Sequence, residues 1–163
     1  MSVALVGLPG AGKSTVGRRL ATRLGLPFAD TDDAIAADTD LSIPNIFARH
    51  GEAAFRDAER QLIARLMERP PQVIATGGGA FLNPVTRARL LAYCTVIWLD
   101  GDVSVFARRA GPRPLLDSAD PVGSLERLAA VRNPIYAEAH LRIDSGALRP
   151  EGVVDRIVAA LRI

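Results

Sequence analysis

Residues Gly7 to Ser14 read GLPGAGKS, a Gly-x-x-x-x-Gly-Lys-Ser pattern. An apolar run, Ser2 to Val6, precedes it, and an amphipathic pattern, Ser14 to Leu24, follows. A strand, a glycine-rich turn and a helix in that order make a phosphate-binding loop. Its backbone N–H groups surround a phosphate at a helix N-terminus, its lysine reaches the β- and γ-phosphates, and its serine hydroxyl ligates Mg²⁺. Lys13 is the single lysine among 20 basic side chains. Where arginine serves everywhere else, one compact ammonium marks a place too narrow for a planar guanidinium. The loop implies a nucleoside triphosphate and leaves the reaction open.

Three further groups bear on the acceptor. Asp30-Thr31-Asp32 ends a short apolar stretch. Asp30 can hold Mg²⁺ through water while Asp32 takes a proton from a hydroxyl; alternatively the group caps a helix, since Asp and Thr are good N-caps. Arg56 and Glu59, in Phe55-Arg56-Asp57-Ala58-Glu59, are i, i+3 neighbours. Their pairing would fix a guanidinium fork for a carboxylate, or be an ordinary surface pair. Thr76-Gly77-Gly78-Gly79 allows a flat, hydroxylated ligand to lie against the backbone, or forms a flexible turn.

The elements that position these groups alternate. Strands are expected at Ser2–Val6, Pro27–Asp30, Val73–Ala75, Thr95–Leu99 and Leu141–Ile143. Helices are expected at Ser14–Leu24, across Ser42–Glu68 as two pieces meeting near Gly51, after Asn83-Pro84, at Asp102–Arg109, at Leu125–Ala139 and at Pro150–Leu161. The pattern predicts an α/β fold of three layers, with a five-stranded parallel sheet between helices. Ligands in such folds bind beyond the carboxyl ends of the strands. The loop, Asp30-Thr31-Asp32 and Thr76-Gly77-Gly78-Gly79 stand at the first three predicted strand ends, while Arg56 and Glu59 lie on the predicted 42–68 helix.

Composition excludes several classes. The 163 residues suit one domain, 48% are hydrophobic and 23% charged, and the net charge of +2 demands no polyanionic partner. Cys94 stands alone and reads as a small buried hydrophobe, so no internal disulfide is expected. No apolar run approaches a membrane span, and the N-terminus lacks a signal-peptide pattern, so a cytoplasmic protein is expected. No long exposed apolar face stands out, which predicts a monomer without nucleic-acid or membrane partners. His50 and His140 are given no catalytic role.

The set GxxGxGKS, DTD, FRxxE, GGG, RPLL (Arg113 to Leu116) and RxPxY (Arg132 to Tyr136), in this order, resembles shikimate kinase over essentially the whole chain. The resemblance implies a P-loop kinase of the nucleoside monophosphate kinase-like type. Its reaction would be ATP-dependent phosphorylation of the shikimate 3-hydroxyl, giving 3-phosphoshikimate and ADP on the way to chorismate and the aromatic amino acids. It implies Lys13, Asp32 and Arg113 as catalytic groups, with Asp32 binding the acceptor hydroxyl and acting as base. Gly10, Ala11, Gly12, Lys13, Ser14, Thr15, Arg109, Arg113, Arg149 and Pro150 would surround ATP, with Arg108 an alternative to Arg109 against adenine. Arg56 and Arg132 would clamp the substrate carboxylate over Gly77, Gly78 and Gly79. Ser14, and Asp30 through water, would hold Mg²⁺. Phe47 and Phe55 fall where the family contacts the substrate ring, and also where a helix packs its core. One domain, residues 1–163, would carry a substrate-binding segment at about 31–60 and a lid at about 110–123. A related kinase such as gluconate kinase, or an inactive nucleotide-binding module, is the competing reading.

Overall fold

The computed structural model describes residues 1–111, 116–117 and 119–163. Its centre is a sheet of β1 (Ser2–Val6), β2 (Phe28–Asp30), β3 (Val73–Ala75), β4 (Cys94–Asp100) and β5 (Leu141–Asp144), in the order β2-β3-β1-β4-β5. All pairings are parallel. From β1 the chain runs to one edge of the sheet, then returns across β1 to the other. Such a reversal leaves a crevice at the carboxyl ends of the strands. Register brings the chemistry to that crevice: Ala75 pairs with both Leu5 and Asp30. The loops after β1, β2 and β3 therefore start at one level.

Val3 to Val6 are buried, as a central parallel strand covered by helices on both faces requires. The helices are α1 (Lys13–Leu24), α2 (Thr31–Thr39), α3 (Ile43–Met67), α4 (Pro84–Tyr93), α5 (Val103–Ala110), α6 (Pro121–Tyr136) and α7 (Pro150–Leu161), with a 3-10 turn at Ala80–Leu82. Gly25 ends α1 in the left-handed region, at φ 65°. Asn83 caps α4, its side chain accepting from the Val85 and Thr86 amides. α3 is two helices joined at Gly51, as the sequence predicts.

Two departures from expectation bear on the site. The α2 helix is present where only a capping option was read: Asp30 is its N-cap and accepts from the Asp33 amide. The α6 helix starts at Pro121, four residues before the expected Leu125, because Asp120 caps it through the Gly123 amide and Pro121 suits the first turn. The expected lid segment thus ends in a helical turn. Residues 112–115 and 118 of that segment, Arg113 among them, lie outside the described residues.

The main core packs both faces of β1 and β4. A second cluster, Ile35, Ile46, Phe55, Leu62, Leu66 and Ile74, sits under α2 and α3. Cys94 is buried beside the Met67 thioether at 3.6 Å, and burial pushes its thiol up to about 11. That is the inert hydrophobe the sequence predicts. His140 Nδ1 accepts from the Val96 amide at 2.9 Å and so extends the β4 edge where β5 has not yet begun. No helix among the described residues is long and apolar enough to cross a membrane.

Candidate active site

A cavity of about 440 Å³ opens over the carboxyl ends of β1, β2 and β3. Its lining includes Gly10, Gly12, Lys13, Ser14, Thr15, Asp30, Asp32, Arg56, Gly77, Gly78, Gly79, Arg109 and Arg132. Most of the predicted site residues are thus brought together by a single cavity.

In its phosphate-loop half, Gly10 has φ 82°, and a Cβ there would stand 2.1 Å from the Phe106 carbonyl oxygen, so only glycine fits. Lys13 Nζ donates to the carbonyls of Gly7 and Leu8, at 2.7 and 2.9 Å. The Ser14 hydroxyl donates to Asp30 Oδ2, while Asp30 Oδ1 accepts from the Asp33 amide at 3.1 Å. Asp30 therefore caps α2, the capping reading of the sequence, and also faces the loop. Ala11 does not line the cavity: its side chain is buried and its amide donates to Leu8 O at 3.1 Å.

In the opposite half, three glycines make room for four side chains. A Cβ on Gly77 would lie 2.4 Å from Glu59 Oε2 and 2.7 Å from Asp32 Oδ1. On Gly78 it would meet Arg132 Nη1 at 3.0 Å, and on Gly79 the whole Arg56 guanidinium at 2.6 Å. Two cations and two carboxyl groups thus face one glycine platform. Arg56 Nη1 donates to Glu59 Oε1 at 3.1 Å, and its Nε lies 3.5 Å from Glu52. Arg132 is 4% exposed. Glu59 is 2% exposed, and burial pushes its carboxyl up from 4.5 to about 7 against the pull of Arg56. Phe47 and Phe55 form the apolar wall, with ring centroids 5.0 Å apart. Phe55 lines the cavity and also belongs to the second core cluster, the core-packing reading of the sequence.

On the third side, Arg109 lines the cavity and donates to the Ser145 and Gly146 carbonyls at 3.1 and 3.4 Å. Arg108 is exposed and does not line it. Arg149 is the exposed residue before α7 and, like Pro150, lies outside the lining.

Three residues escaped the sequence reading. Thr31 Oγ1 accepts from the Gly77 amide at 2.9 Å and so ties the DTD segment to the platform. The Tyr136 hydroxyl donates to the Gly78 carbonyl; burial raises its pKa, which keeps it a donor. Ser145, buried, donates to the Ala11 carbonyl at 2.8 Å and joins the loop after β5 to the phosphate loop. Thr31 and Tyr136 stand inside motifs already singled out. Ser145 had only its place at a strand end as a signal.

The fold and the loop after β1 define a P-loop kinase. The family model described as shikimate kinase matches residues 9–162. A shikimate kinase of Bradyrhizobium diazoefficiens is 48% identical over 99% of this chain and 79% of its own. One from Paramagnetospirillum magneticum is 50% identical over 98% and 84%. Among solved structures, shikimate kinase from Acinetobacter baumannii in complex with shikimate has a TM-score of 0.95 and 36% identity, covering 99% of this chain and 92% of that one. A gluconokinase from Sinorhizobium meliloti, at 22% identity and a TM-score of 0.66, shares the fold. The chain belongs to the shikimate kinase family, and its activity is that of a shikimate kinase.

Proposed function

We propose that this cavity transfers the γ-phosphoryl group of ATP to the 3-hydroxyl of shikimate, giving 3-phosphoshikimate and ADP on the way to chorismate and the aromatic amino acids. The observation that carries the residue assignment is the convergence of Arg56 and Arg132 on Gly78 and Gly79, beside Asp32. Two guanidinium groups at a flat backbone platform suit a planar carboxylate attached to a ring. Phe47 and Phe55 supply the apolar wall for that ring.

Asp32 takes the hydroxyl proton as the acceptor oxygen bonds to the γ-phosphorus and the bond from that phosphorus to the bridging oxygen breaks. Lys13 offsets the charge carried by the β- and γ-phosphates, because phosphoryl transfer depends on positioning and charge stabilisation. The Ser14 hydroxyl and Asp30 carboxylate are adjacent oxygen donors at the phosphate end. Hard oxygen donors, few in number, fit Mg²⁺, which keeps waters and phosphate oxygens as its other ligands. The ion, when bound, neutralises phosphate charge; Ser14 would ligate it directly and Asp30 through water. Residues about 31–60 form the substrate-binding segment of one domain. The assignment of a lid to residues about 110–123, and of a catalytic role to Arg113, falls on a segment part of which, Arg113 included, lies outside the described residues. Gly10 to Thr15, Arg109, Arg149 and Pro150 contact ATP. The protein works as a cytoplasmic monomer: the large exposed apolar residues described lie apart, on α4, α6 and the chain ends.

ADP release with shikimate, shikimate methyl ester and gluconate tests the assignment. Loss of the carboxylate charge removes charge-assisted bonds from two arginines, together about 3 kcal/mol, and so raises KM about 100-fold. Gluconate gives no turnover above background. Turnover of the ester at the shikimate KM would refute the clamp.

A further inference from the structure

We infer that Gly51 is a positioning residue for the acceptor: its backbone turns the first part of α3 back over the cavity and so places Ile43 and Phe47 there. This rests on the acceptor half proposed above.

Gly51 lies inside the 43–67 helical stretch yet has φ 83° and ψ 167°. That combination is accessible essentially to glycine alone. A Cβ at Gly51 would meet nothing within 4 Å. Space is therefore not the reason for glycine here; the backbone angle is.

The consequence appears in the rings. In an unbroken helix, residues 47 and 55 would be about 12 Å apart along the axis and about 80° apart around it. Helical side chains all lean toward the N-terminus, so the two rings could not close that gap. Their centroids are 5.0 Å apart. Both rings line the cavity, as does Ile43. Arg56 and Glu59 stand on the other side of the turn, on the second part of α3. Gly51 thus joins an apolar wall to the guanidinium that faces Gly79. The turn at Gly51 also lets Ile46, on the first part, bury with Ile35, Phe55 and Leu62 in the second cluster.

An L-residue at position 51 must leave this conformation, which swings Ile43 and Phe47 off the cavity and leaves the phosphate loop untouched. A D-residue has the mirror-image map and keeps the positive φ. The experiment compares Gly51→Ala, Gly51→D-Ala made by segment ligation, Ala48→Gly and Phe47→Ala, reading KM for shikimate and for ATP. Ala48 is exposed on the same part of α3, and Ala48→Gly weakens that part through helix propensity alone.

Gly51→Ala is expected to raise the shikimate KM about tenfold, a loss of about 1.4 kcal/mol, with the ATP KM unchanged. Gly51→D-Ala restores the wild-type KM, and Ala48→Gly leaves it unchanged. Gly51→Ala and Phe47→Ala combine to less than the product of their separate effects, because one acts through the other. The inference is overturned if both KM values rise together, if D-alanine behaves as L-alanine, or if Ala48→Gly has the same effect as Gly51→Ala. Should Gly51→Ala fail to fold, the D-alanine protein still decides: a raised shikimate KM there overturns the inference. If Phe47→Ala leaves the shikimate KM unchanged, the acceptor-half reading itself fails. If Phe47→Ala raises it and Gly51→Ala does not, the role of Gly51 alone falls.

Discussion

Glu59 makes folding of this protein depend on pH in a direction opposite to that of most carboxylates. It is 2% exposed, and burial raises its carboxyl from 4.5 to about 7, with Asp32 adding to the rise and Arg56 and Arg132 opposing it. The folded state therefore holds a proton that the unfolded chain releases. The associated stability is complete below about 4.5 and is lost as pH rises through about 7. Linkage gives a fall of about 2 to 3 kcal/mol between about pH 5 and about pH 8, the first part of it gone by about pH 6. Other groups titrate across this range, so the measurement is a difference. Urea unfolding of the wild type and Glu59→Gln at matched pH values isolates the Glu59 share, because glutamine cannot ionise. The variant should gain on the wild type steadily with pH, by a total of about 2 to 3 kcal/mol. A gap that stays constant within about 0.5 kcal/mol across the range would refute the buried-carboxyl argument.

Two further outcomes follow from the site. Asp32→Asn should reduce phosphoryl transfer at least about 100-fold, as loss of a general base does, while ATP affinity measured by calorimetry stays within about threefold; normal turnover would remove Asp32 from the proton-accepting role. Ser145→Ala breaks the bond to the Ala11 carbonyl and, at about 1 kcal/mol for one hydrogen bond, should raise the ATP KM about fivefold. The shikimate KM should hold, and Ser145→Thr should recover the loss; equal rises in both KM values would show only general loosening.

What the sequence disclosed follows a physical boundary. The β1 strand and α1 were legible because a buried parallel strand reads as an unbroken apolar run and α1 repeats apolar residues at helical spacing. The α2 helix was not, because Thr31 and Ile35 are its only buried residues and no stripe forms. The residues Asp120-Pro121-Val122-Gly123 read as loop by composition, yet Asp120 and Pro121 are a cap and a first-turn proline. Glycine content hid the difference between needing freedom and needing room: Gly77, Gly78 and Gly79 are crowded by Glu59, Arg132 and Arg56, whereas Gly51 is uncrowded and needs its φ. Arg108 and Arg109 are adjacent, and only the packing of α5 turns Arg109 to the cavity.

The single lysine and the paired arginines answer two different geometric problems within a single cavity. A carboxylate on a ring is planar and presents two oxygens side by side, and on the proposed reading the forks of Arg56 and Arg132, which approach Gly79 and Gly78, would match it. A phosphate chain is surrounded by backbone amides, which leave space for one compact cation. Lys13 already occupies that space, its ammonium held on the Gly7 and Leu8 carbonyls. An ammonium can turn its three donors from those carbonyls to phosphate oxygens by rotation about its stem, whereas a rigid guanidinium would have to displace the loop. On the proposed reading the loop would keep its cation placed before the nucleotide arrives, leaving little reorganisation for the moment of transfer. The otherwise exclusive use of arginine in this chain gives way at position 13 alone, the position where the proposed reading calls for a compact cation.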